Sequence, residues 1–159
     1  MFNIGDKVSY PMHGAGVITE ISKKELLGEV KDYYTIKIPV NEVVVSVPVD
    51  KAEDLGLRPI IERDELDGIL ETLKAEAKKT NGNWSKRHRN NFEKLKSGDI
   101  LEVAEVVRDL TLLSRERNLS GGDRRMLTNS MNLLLSEIIM AYDVDEATAI
   151  KRIEECILE

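Results

Sequence analysis

Cysteine is all but missing from this chain. Of its 159 residues only Cys156 carries a thiol, which excludes an internal disulfide and any cysteine-built metal site. Its spacing to Ile153 and Ile157 puts it on a helix face, as a half-buried structural thiol. Histidine is almost as scarce: His13 lies in a Pro11-Met12-His13-Gly14 turn and His88 in a basic stretch. Neither has a Cys, Ser or acidic partner at a catalytic spacing, and a locally hydrogen-bonded turn histidine accounts for His13 better than a general base does. The glycines form no nucleotide cradle. Gly14-Ala15-Gly16 lacks the third glycine and following helix of a dinucleotide site, and no P-loop Lys-Ser/Thr occurs. Gly121-Gly122 precedes a helix start, which can bind an anion, but a permissive turn accounts for the pair better. No apolar run is long enough to span a bilayer, and no basic-then-apolar leader opens the chain. An enzyme, a resident cofactor, a metal site and a membrane partner are therefore not expected, and the expected location is cytoplasmic.

What is present is charge. Charged residues make up 33% and hydrophobic ones 42% of the chain, a balance suited to an ordered, largely helical protein. The net charge is −6, but its distribution is uneven. From Lys78 to Lys96 seven Lys/Arg face one acid, Glu93, so this stretch is +6 and the remainder −12. The only tryptophan, Trp84, sits inside that island in Asn83-Trp84-Ser85-Lys86-Arg87-His88-Arg89.

The hydrophobic period changes along the chain. Up to about residue 50, short segments rich in Val, Ile and Tyr alternate with period two: Val17, Thr19, Ile21; Tyr34, Ile36, Ile38; Val43, Val45, Val47. With Lys7 to Tyr10 they predict four or five short strands in a bent antiparallel SH3-like barrel. Tyr33 and Tyr34 are adjacent and must face opposite sides, which argues against an aromatic cage. Beyond Pro48 the spacing becomes helical. Leu66, Ile69, Leu70 and Leu73 form one stripe. Asn83 is a candidate N-cap for a helix to about Lys96, with Phe92 and Leu95 as its apolar contacts. Ile100, Val103, Ala104, Val107 and Leu110 form another stripe. Ser120 to Asp123 is a relative of the capping box, opening a helix with Met126, Leu127, Ser130, Leu134 and Ile138 inward. Asp145 caps a last helix carrying Ala149, Ile150, Ile153 and Ile157. The expected fold is α+β: a small SH3/Tudor-like antiparallel β module, residues 1–52, a linker, 53–60, and a five-helix bundle, 61–159.

The basic island has two readings on composition alone. Lys86, Arg87 and Arg89 lie in the first turns of a helix, where backbone N–H groups also favour phosphate. Arg124 and Arg125 extend that surface if the bundle brings two helix starts together. Trp84 can wedge into a base step, or it can pack on the following turn as a staple, with the charges simply solvated.

Several motifs resemble one family. Gly5-Asp6-Lys7-Val8 with Tyr10-Pro11-Met12-His13-Gly14 is similar to the start of the CarD/CdnL bacterial transcription regulators. Asn83-Trp84-Ser85-Lys86-Arg87, Leu95-Lys96-Ser97-Gly98-Asp99, Val103 to Leu110 and Leu119-Ser120 to Met126-Leu127 are similar to that family's C-terminal half. The resemblance implies that the N-terminal Tudor-like module, also found in transcription-repair coupling factors, binds the RNA polymerase β subunit. It implies that the helical domain meets promoter DNA in the minor groove at the upstream fork of the bubble and stabilises the open complex, with Trp84 as the wedge. Lys86, Arg87 and Arg89 would lie on phosphates, with Arg124 and Arg125 beside them. Four phosphate contacts, from Lys86, Arg87, Arg89 and Arg124, imply a salt slope of about −3.6. On the polymerase side the resemblance points to Lys24, where relatives can carry arginine, and to Ser46, which departs from a basic residue. With that charge gone, Val44, Val45, Ser46 and Val47 would contribute mainly strand-edge hydrogen bonds. His88 stands where a tyrosine is frequent, and when protonated it would donate to phosphate. A monomer is expected, with strand exchange through the barrel as the route to a dimer. The rival class is a helical protein–protein adaptor whose basic patch meets an acidic partner.

Overall fold

A computed structural model describes residues 1–76 and 84–158. It is α+β, a five-stranded antiparallel sheet followed by five helices. The strands are β1 (Lys7–Tyr10), β2 (Gly14–Leu26), β3 (Glu29–Ile38), β4 (Val43–Pro48) and β5 (Arg58–Pro59). Their order in the sheet is β4-β3-β2-β1-β5, a meander whose last strand returns beside the first, as in an SH3-like barrel. Tyr34, Ile36 and Ile38 fill the barrel core from β3, and Tyr33 takes the other face.

In β2 the expected alternation fails. The register with β3 shifts between Ile18 and Glu20. A bulge opposes two residues to one, so Ile18 and Ile21, three apart, both turn inward and Thr19 is exposed. The sheet also reaches past the expected boundary at 52. Within the expected linker 53–60, Arg58 and Pro59 form β5 against Ser9 and Val8, and Leu57 is buried in the barrel core. Ile61 already belongs to the helical core, so the two cores meet almost without a spacer.

The helices are α1 (Leu66–Lys74), α2 (Trp84–Lys96), α3 (Ile100–Glu116), α4 (Gly121–Tyr142) and α5 (Glu146–Leu158). The candidate cap Asn83 lies outside the described residues, as do Lys78 and Lys79. Asp99 caps α3 by accepting from Leu101 N–H at 2.9 Å, and the α3 stripe is buried throughout. Phe92 was expected inside but is 40% exposed, with Lys96 Nζ 5.7 Å from its ring centre. The inward positions of α2 are Asn91 and Leu95; one residue along a helix turns the side chain by 100°, so Asn91 takes the face that Phe92 leaves.

α4 is the axis of the molecule. Leu134 to Ile138 are buried one after another, a pattern no surface helix shows. One side meets the other helices and the other meets the sheet. Ser136 Oγ accepts from Ala15 N–H of β2 at 2.8 Å, and Lys7 Nζ of β1 donates to Met140 O at 2.9 Å. The Arg58 guanidinium donates to both Glu137 carboxylate oxygens at 2.7 and 2.8 Å, and Ile61 N–H adds a third donor at 2.9 Å. Burial alone would lower the Arg58 pKa, but the hydrogen bonds and charge of Glu137 outweigh it and raise it. Gly14, at φ 115°, allows the close approach: a Cβ there would lie 2.9 Å from Ser136 Oγ.

Candidate nucleic-acid interface

The first turns of α2 and α4 meet through side chains 36 residues apart. Trp84 Nε1–H donates to Ser120 Oγ at 3.1 Å, and the same oxygen caps α4 by accepting from Asp123 N–H at 3.1 Å. The helix start that the sequence marks as a capping-box relative thus also holds the indole. Its carboxylate differs from that pattern. Asp123, 2% exposed, receives Arg87 Nη2–H at 3.0 Å instead of reaching back to its own cap.

Trp84 is 44% exposed. Its indole stacks on His88 of the next turn, with ring centres 4.9 Å apart and planes 21° from parallel. Its benzo edge lies over Gly122, where an added Cβ would come within 2.8 Å of Cζ2. The indole therefore packs on the following turn and still presents a surface to solvent. The absent side chain at 122 is what lets it lie there. Sequence reasoning gave Gly122 only a permissive turn, because nothing local links it to a residue 38 positions earlier.

The basic residues divide into two groups. Lys86 and Arg89 on α2, and Arg124 and Arg125 on α4, are exposed. Arg124 Nε also donates to Leu119 O at 3.2 Å, which fixes its stem. The structure thus brings the two helix starts together on one surface. Arg87 is different. Its side chain is only 18% exposed and its charge is matched by the buried Asp123 carboxylate, so it braces α2 against α4, where the resemblance implied a phosphate contact. The ring of His88 supports the indole, and among the described residues its buried Nδ1 has no hydrogen-bond partner. Arg117, exposed at the end of α3, lines the same shallow groove as Trp84, Ser120 and Asp123. No motif marked it, since only the path of the α3–α4 connection carries it there.

The second expected surface lies on the barrel. Among the described residues no strand pairs with the outer edge of β4. Val44 is 60% exposed, and Val45 and Ser46 follow it along the strand. Lys24 Nζ donates to Ser46 Oγ at 2.8 Å and sits 5.9 Å from the Tyr33 ring centre, so these two expected residues are neighbours across three strands. Val47 is fully buried in the barrel core and offers a partner only its backbone. Among the described residues no helix is long and apolar enough to cross a membrane, and no group of three or more His, Cys, Asp or Glu could hold a metal ion.

Comparison with known proteins covers both modules. Residues 2–61 match the model of the CarD-like/TRCF RID domain, and residues 68–154 match that of the CarD C-terminal domain. A Bacillus subtilis (strain 168) protein named as a transcription factor, YdeB, is 36% identical over 146 residues, covering 92% of this chain and 95% of its own. The N-terminal domain of Myxococcus xanthus CarD, solved by NMR in solution, is 30% identical over 37% of this chain and 79% of its own, with a TM-score of 0.33.

Proposed function

The chain belongs to the CarD family of transcription factors, and on that premise we propose that it docks on the RNA polymerase β subunit and steadies the open promoter complex with Trp84. The observation that carries the reading is the half-exposed indole, set between two helix starts whose outward residues are cationic. An aromatic face supported from behind by His88 and from one edge by Gly122 loses little freedom on entering a base step, so little ordering entropy opposes the wedge. Lys86, Arg89, Arg124 and Arg125 neutralise backbone phosphates around it. Arg117 extends the rim.

Such a patch on a chain of net charge −6 binds an isolated duplex weakly. The barrel supplies the missing affinity. A strand of the β subunit adding to the open edge of β4, beside the Lys24–Ser46 pair, would make the DNA contact effectively intramolecular at roughly millimolar local concentration. Stabilising the melted state shifts an equilibrium and needs no bond chemistry here.

Open-complex lifetime is the test. Trp84→Ala should leave binding to the β subunit intact and shorten the lifetime on a promoter that responds to the wild type. An unchanged lifetime on such a promoter would exclude the wedge.

A further inference from the structure

On the dock-and-wedge reading the two exposed surfaces engage together, and one helix links them. The first turn of α4 holds Trp84 and Arg87 through Ser120 and Asp123. Its last turns hold the barrel through Ser136, Glu137 and Met140. From Asp123 to Glu137 is fourteen residues, or about 21 Å along the helix axis.

We infer that Glu137 is the positioning residue that sets the angle between the barrel and the Trp84 surface. The inference rests on the dock-and-wedge reading for its consequence, though not for its geometry. Apolar contact between the modules is non-directional and tolerates sliding. A forked carboxylate–guanidinium pair does not, because both oxygens and both nitrogens must align. Here Arg58 Nε also donates to Gly98 O at 3.0 Å, so the guanidinium ties β5 to the α2–α3 turn as well as to α4. Ile61 N–H on the same carboxylate fixes the point where the chain leaves the barrel. β5, through Arg58, and the chain at Ile61 therefore converge on a residue that is 1% exposed, and Arg58 adds the α2–α3 turn. Tethering raises local concentration only when the span matches the two sites, so a loosened angle should cost wedge engagement while leaving each surface intact.

The experiment uses the full chain with spin labels at Leu27→Cys, on the exposed β2–β3 hairpin tip, and Lys151→Cys, on α5, in a Cys156→Ala background. The distance distribution between the labels should be narrow in the wild type and at least twofold broader in Glu137→Gln. Arg58→Lys keeps the charge but cannot fork across two oxygens, and it should broaden the distribution too, which covers a failure of Glu137→Gln to fold. Both variants should bind the β subunit as wild type does and shorten the open-complex lifetime about tenfold toward the Trp84→Ala value. A distribution as narrow as wild type in a folded variant would overturn the inference, as would a broadened one with wild-type lifetime when Trp84→Ala does shorten it. If Trp84→Ala leaves the lifetime unchanged, the dock-and-wedge reading is what fails, and the label distances alone then decide the role of Glu137.

Discussion

At the scale of single residues, neighbours in sequence carry unlike duties. Arg87 and Arg89 are two positions apart in one basic run, yet Arg87 is held by the buried Asp123 while Arg89 faces solvent. Removing Arg89 should reduce the slope of log affinity against log salt by about 0.9, since one released counterion is lost. Arg87→Ala should leave that slope nearly unchanged and instead lower thermal stability, by about 3 kcal/mol, because it strands a buried carboxylate. Salt titrations of both variants beside thermal melts separate the two roles; an equal loss of slope in each would place Arg87 on phosphate. Gly122 is a second such residue. Gly122→Ala places a methyl 2.8 Å from Trp84 Cζ2 and should push the indole off its seat. Because Trp84 is the only tryptophan, its emission reports the change directly. The spectrum should shift and the open-complex lifetime should shorten, whereas a wild-type spectrum would mean that the glycine has no part in seating it. The basic island and its tryptophan were legible in the sequence. The partners that split its members were not, because Ser120, Gly122 and Asp123 are brought there by folding and not by spacing.

Among elements, legibility followed regularity. The α3 stripe from Ile100 to Leu110 repeats at the helical period, and all five of its members are buried. In β2 a one-residue bulge after Ile18 reversed which side chains face inward, and no propensity marks a bulge in a Val-Ile-Thr run. β5 is two residues long, too short to carry any period, so the segment around it read as a linker. That shortness has a consequence for dissection. A fragment of residues 1–52 lacks β5 and Leu57 and leaves both the β1 edge and the barrel core open. Residues 1–61 should give a dispersed amide spectrum and bind the β subunit, while residues 1–52 should be poorly folded and bind weakly. Equal dispersion and binding would show that β5 closes nothing.

For the whole molecule, the central fact is that two surfaces of opposite kind sit at fixed places on one frame. A strand edge flanked by Lys24 and Ser46 lies on the barrel, and a cationic rim with an exposed indole lies where α2 and α4 begin. On the proposed reading, the net negative charge outside the island disfavours binding to DNA at large, so engagement would depend on docking first. Family membership accounts for the two modules, and α4 accounts for their union. The most direct measurement is a photocrosslink from a reactive amino acid at position 84 in an assembled polymerase–promoter complex. The account predicts crosslinks to DNA at the upstream edge of the bubble, lost when the barrel is prevented from docking. Crosslinks to protein alone, or to DNA with no dependence on docking, would contradict it.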